Sequence, residues 1–260
     1  MSAVPGAPAP RGADSAGVPW AGRTLRPSPF AGDDGRADPA LEAALAGWAA
    51  ATGSAAHRLR AVAGVVAALA GARVFAPVVA VLGEAELVAA GPAGDKSADM
   101  ALALLTRPDG RRALPLFSTL DRLSAWRADA RPVPVEAARA ALSAVQEECE
   151  VLVLDPAGPV RFVVPRPALQ ALARGLPWTP SPFDPEVAAA AATALRSLAE
   201  VRGVRVEPGE RAELRIVVEL VPGLSEVRLA AVSEGAGSLL AASEVVARRA
   251  SSVELHLQKA

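Results

Sequence analysis

The alternation of apolar and polar positions becomes regular at Asp38-Pro39, where Leu41, Leu45 and Trp48 recur at helical spacing. Asp at the cap and Pro at the first helical position, where an N–H is not needed, predict a helix start. After Thr52-Gly53-Ser54 a second helix is predicted to about Ala70, burying Leu59, Val62, Val66 and Leu69. From Arg73 the pattern turns β. Residues 74–82 form a β-branched run interrupted by Pro77, a buried or edge strand. Residues 98–106 and 112–117 flank Arg107-Pro108-Asp109-Gly110 as a hairpin. Ser118 is then expected to cap a helix carrying Leu120, Leu123 and Trp126, with Asp121 in its first turn. A helix over 134–147 is expected to turn Ala138, Leu142 and Val145 inward. A second hairpin pairs 151–154 with 160–164 around Asp155-Pro156-Ala157-Gly158, and a short helix runs from Pro167 to near Gly175.

The segment 176–184 breaks the periodicity with Pro177, Pro180 and Pro182 around Trp178. Asp184-Pro185 restarts a helix through Val187, Ala191, Leu195 and Leu198. Strands are expected at 204–206, 214–220 and 227–232, then a helix over 238–249 and a final strand at 253–257. These elements predict an α+β protein. A disordered leader (1–36) precedes an α+β domain (37–178) with a helix pair, a mixed or antiparallel sheet with hairpins, and flanking helices. A smaller α+β domain (184–260) follows. Pro-Ser-Pro-Phe occurs at 27–30 and again at 180–183, each time ahead of an Asp-Pro helix start. Duplication and chance both account for it, since no longer repeat period is present.

Composition narrows the chemistry. The chain has 260 residues, a formal net charge of −1, 52% hydrophobic residues, one Cys and two His. A near-neutral balance supplies no global field for nucleic acid, and the Arg pairs 111–112 and 248–249 lack interleaved aromatics. Residues 61–83 contain only one charge, Arg73, and are long enough to cross a bilayer. Arg73 near the centre would cost roughly 2.5–3.5 kcal/mol, so the helix-then-strand reading is preferred and no membrane association is expected. Residues 1–10 show neither a basic nor an apolar signal region, and a cytoplasmic location is expected.

The seven-residue stretch Gly91-Pro92-Ala93-Gly94-Asp95-Lys96-Ser97 mimics a phosphate loop, but Asp95 precedes the Lys and Pro92 removes an N–H from the cradle. Cys149 stands among Glu147, Glu148 and Glu150, which oppose a reactive thiolate, so a buried inert thiol is expected. His57 and His256 have no carboxylate or thiol at ligand spacing. His256, between Leu255 and Leu257, belongs on the outer face of a strand. The acidic pairs Asp33/Asp34 and Glu84/Glu86 read as solvated surface. No cofactor, metal or catalytic residue is assigned.

Three blocks bear a family resemblance: Ala76-Pro77-Val78-Val79-Ala80-Val81-Leu82-Gly83-Glu84, Asp95-Lys96-Ser97-Ala98-Asp99-Met100-Ala101, and Asp109-Gly110-Arg111-Arg112-Ala113-Leu114-Pro115-Leu116-Phe117. Arg131-Pro132-Val133-Pro134-Val135 and Leu154-Asp155-Pro156-Ala157-Gly158-Pro159-Val160 continue in order. Together they resemble the SseB-like (enhanced serine sensitivity) family across about residues 38–185. The resemblance implies an α+β fold and a serine-sensitivity phenotype, without an established activity or catalytic residues to transfer. A non-catalytic regulatory or interaction protein with an unidentified protein partner is therefore expected. The alternative is an enzyme acting on a small amino-acid-derived metabolite. Lys occurs only at 96 and 259 in an Arg-rich chain, and Lys is not interchangeable with Arg where geometry matters. Lys96, Asp99, Asp109 and Arg111 are the candidate interaction surface.

Overall fold

The computed structural model of the chain describes residues 29–81 and 99–259. Most of the expected leader, the 91–97 loop with Lys96, and Glu84/Glu86 lie outside the described residues. The backbone separates into two compact units, Met1–Asp34 and Gly35–Ala260. In the first, Asp33 N–H donates to the Phe30 carbonyl at 3.1 Å in a turn.

Helix α1 (Pro39–Ala49) starts where Asp38 Oδ1 accepts from the Ala40 and Leu41 N–H groups. Helix α2 (Ala55–Gly71) starts where Ser54 Oγ accepts from His57 N–H at 3.2 Å. Both capping signals satisfy donors that a helix end leaves orphaned. Leu41 and Leu45 share one apolar cluster with Val65, Val66 and Leu69. Val65, absent from the expected stripe, is fully buried, whereas Leu59 is only half-buried.

Strand β1 (Arg73–Val81) is the centre of a three-stranded antiparallel sheet, between β2 (Asp99–Leu102) and β5 (Arg131–Glu136). Pro77 lies in the middle of that strand, opposite Pro132, and its carbonyl still accepts from Ala103 N–H at 2.9 Å. A second sheet runs β3 (Leu105–Thr106), β4 (Arg112–Leu116), β6 (Val151–Leu154), β7 (Phe162–Val164), with β4 and β6 parallel. Phe75 and Phe117 exchange both backbone hydrogen bonds, at 2.8 and 2.9 Å, and so tie the two sheets together.

Several expectations are corrected. The run 98–106 is not one strand: β2 and β3 belong to different sheets, and the chain crosses between them at Ala103-Leu104. Pro134 does not open a helix. Pro132 and Pro134 sit on an edge strand, where a missing N–H is tolerated, and α4 (Ala137–Gln146) begins only after Glu136. Its inward face is Ala137, Ala140, Ala141 and Ala144, while Leu142 is 47% exposed. Small residues at that spacing let α4 approach α5 (Arg166–Ala173) and the sheet closely. Helix α3 (Leu120–Trp126) is capped by Thr119, whose Oγ1 accepts from Arg122 N–H at 3.1 Å, because Ser118 is engaged elsewhere.

Beyond a 3-10 turn at Ser181–Phe183, α6 (Pro185–Leu195) leads into β8 (Val201–Pro208) and β9 (Leu214–Leu220). The expected strand at 227–232 is instead the start of α7 (Glu226–Ala242), capped by Ser225, with Val232, Ala236 and Leu240 buried four residues apart. The single helix expected over 238–249 is two, since α7 ends at Ala242 and α8 (Glu244–Arg249) is separate. Strand β10 (Val253–Lys259) then pairs parallel to β9, giving the order β10-β9-β8. Most buried apolar residues of 187–246 form one cluster and most of those of 41–172 another, while Phe75, Phe117, Leu123 and Ala130 form a third. The intervening segment is itself packed: Ser181 and Pro182 are buried, and Ser181 donates to Glu213 Oε1 through both N–H and Oγ.

Candidate functional site

A cleft of about 1170 Å³ opens between the start of β6, β7 and one face of α5 on one side and the start of α6 and α8 on the other. Its apolar lining includes Val151, Val163 and Trp178. Val163 is 46% exposed because it alternates outward on β7 between the buried Phe162 and Val164. The charged groups are distributed unequally. On the α8 side, Asp184 Oδ1 caps α6 by accepting from Glu186 N–H at 2.9 Å, and Oδ2 accepts from Arg249 Nη1 at 2.7 Å. Arg249 also pairs with Glu186, and Arg248 with Glu244 at 3.2 Å. The hydrogen bond to Asp184 comes first in holding the Arg249 guanidinium above its ordinary pKa. Both guanidiniums of that wall are therefore committed to its three carboxylates.

The α5 wall differs. Arg166, Gln170 and Arg174 line the cleft at i, i+4 and i+8, one stripe of the helix. No carboxylate among the described residues lies within ion-pair distance of Arg166 or Arg174. Glu150, at the same end of the cleft as Val151, is 3.7 Å from Arg111. Trp178 Nε1 is buried without an acceptor among the described residues. Beyond Trp178 lies a second, apolar pocket of about 360 Å³, which shares Leu176, Pro177 and Trp178 with the cleft and adds Val66 and Leu172.

The family can now be placed on this geometry. A family model for the SseB protein N-terminal domain matches residues 41–171. The chain belongs to the SseB family. No curated protein and no solved structure matches it. The matched SseB segment supplies β6, β7 and the Arg166 end of the cleft, and residues beyond it supply Arg174, Trp178 and the ion-paired wall.

The sequence-predicted residues are only partly gathered there. Asp109 and Arg111 occupy the tip of the β3–β4 hairpin, where Gly110 takes a φ of 81° and Arg107 N–H donates to the Arg111 carbonyl at 2.9 Å. Arg111 Nη2 lies 2.8 Å from Asp109 Oδ2, and the hydrogen bond from Arg111 holds the Asp109 carboxyl below its ordinary range. Both are exposed, and Arg111 touches the cleft rim only through Glu150. Asp99 belongs to β2, opposite Val81 in the other sheet, and Lys96 lies outside the described residues.

Two features escaped the sequence reading. The first is the Arg166-Gln170-Arg174 stripe, which the i, i+4, i+8 spacing would have exposed. The second is Asp155, read as a turn residue but fully buried. It accepts from Ser118 N–H and Ser118 Oγ, both at 2.9 Å, and from Arg122. Its φ of 51° and the 3.0 Å approach of a Cβ placed at Gly158 explain Asp and Gly at those positions. This cluster joins the β6–β7 turn to the entry of α3, away from the cleft lining. Cys149 is buried just past α4, and burial pushes its thiol pKa up. His256 is exposed on β10, as its alternation predicted. No helix among the described residues is long and apolar enough to cross a membrane.

Proposed function

We propose that this SseB-family chain is a non-catalytic, cytoplasmic interaction protein whose protein partner seats in the cleft between α5 and α8. One observation carries the reading: the cleft's acidic groups are committed while its α5 cations are not. Asp184, Glu186 and Glu244 already accept from Arg249 and Arg248. Turnover of a small amino-acid-derived metabolite calls for a group free to move a proton, and paired carboxylates serve shape and charge instead. A cleft with apolar lining, an ion-paired wall and a wall of unpaired cations has the make-up of a recognition site.

The test is site-specific photo-crosslinking in native lysate, with a photoreactive residue at Gln170 and a control at Val227, which is 81% exposed on α7. A discrete protein adduct from position 170, absent from 227 and displaced by excess unmodified chain, supports the reading. Equal adducts from both positions, or none, refute it.

A further inference from the structure

We infer that the cleft's occupant is an extended acidic peptide segment, an inference that rests on the interaction reading above. The spacing of the α5 stripe sets its form. Arg166 and Arg174 are eight residues apart on and just past α5, about 12 Å at 1.5 Å per helical residue. An extended chain advances about 3.4 Å per residue, so acidic side chains four residues apart span about 13.6 Å and meet both guanidiniums. The residue midway between them faces Gln170, an amide that both donates and accepts. The matched pair is therefore an acidic residue, three intervening residues with a polar one in the middle, and a second acidic residue.

The α5 wall alone sets the sign. On the opposite wall Arg248 and Arg249 are already paired with Glu244, Asp184 and Glu186, whereas on α5 a basic segment meets two unpaired cations. Guanidinium forks suit carboxylates because two parallel N–H groups match two oxygens. The second pocket adds an anchor. It adjoins the cleft at Leu176 and Trp178, immediately past Arg174, and its lining is apolar apart from backbone. An aliphatic or aromatic side chain following the acid opposite Arg174 would fill it, and such central apolar anchors dominate peptide affinity.

The experiment is a displayed library of random twelve-residue peptides selected on the full chain and, in parallel, on an R166E/R174E variant. Both substitutions are at exposed positions, and circular dichroism is the check that the variant folds. The expected result is enrichment of acidic residues four apart beside an apolar residue. Synthetic copies should bind at least tenfold more weakly to the variant, whose own selection should shift to basic peptides. A V163E variant locates the site, since Val163 lies on the cleft floor. Peptides that lose binding to V163E yet carry no acidic bias overturn this inference and leave the interaction reading standing. Peptides indifferent to V163E, R166E and R174E overturn the inference, and absence of any cleft adduct at Gln170 removes the reading beneath it.

Discussion

Arg249 reaches across 65 residues of sequence to donate to Asp184 at 2.7 Å, and the other oxygen of the same carboxylate caps α6. One side chain thus fixes both the start of α6 and the end of α8, the ion-paired wall of the cleft. Asp184→Ala removes a cap and a charge-assisted hydrogen bond, and should cost about 2–3 kcal/mol in urea unfolding. Asp184→Asn, which can still cap, should cost about half as much. Loss of under about 0.5 kcal/mol in the alanine variant would show that the wall is held by other contacts.

The Ser118–Asp155 pair predicts a larger effect per atom removed. Asp155 is fully buried, so Asp155→Ala leaves the Ser118 donors without an acceptor and forces a non-glycine, non-Asx residue to φ 51°. Unfolding free energy should fall by about 3 kcal/mol, with Asp155→Asn intermediate because Asn tolerates the same backbone. Equal stability of Asp155→Ala and wild type would contradict the assignment.

Stability should decline on the acid side through specific carboxylates of the C-terminal half. Hydrogen bonding from Arg228 holds Glu200 below its ordinary pKa, and the Glu210 N–H followed by Arg215 does the same for Glu254. A carboxyl lowered on folding stabilises the native state fully above its unfolded value, about 4.3, and loses that contribution as pH falls through the folded value. Thermal melts from pH 7 to pH 2 should therefore steepen below about pH 4.3, and Glu200→Gln with Glu254→Gln should flatten that limb. An unchanged slope in the double variant would contradict the linkage.

Within the compact unit Gly35–Ala260, the expected division into 37–178 and 184–260 makes a testable statement about where a protease cuts. Leu176, Pro177 and Thr179 are exposed, whereas Pro180, Ser181 and Pro182 are buried, so nicking between the halves should fall at 176–179. Brief digestion followed by mass spectrometry should give two resistant cores from that cut. A single resistant fragment spanning 150–260 would contradict the division.

Much of the fold was legible because its local signals are strong. Asp38-Pro39, Ser54 and Asp184-Pro185 each open a helix as their capping chemistry requires, and both Pro/Gly turns close hairpins. Two of the failures trace to alanine. In α4 the fully buried face is four alanines; Val145 packs against the core as expected, but the larger Leu142 is 47% exposed, and choosing it as inward tilted the predicted face. In α7 alanine and serine fill both faces, and Val227, Leu229 and Val232 gave a false impression of a strand. The cleft was harder still, because its walls come from 150–186 and 244–251, segments that only the folded chain brings together. Attention to adjacent Arg doublets also concealed Arg166 and Arg174, whose common face depends on helical spacing.

The central claim, that the α5 cations of the cleft hold a protein partner, is tested most directly by quantitative mass spectrometry of proteins retained from native lysate. Wild type, R166E/R174E and R196E/R202E are compared; Arg196 and Arg202 are exposed and do not line the cleft. The account predicts a partner retained by wild type and by R196E/R202E, and depleted at least tenfold on R166E/R174E. Equal retention by all three chains, or equal loss from both variants, would contradict it.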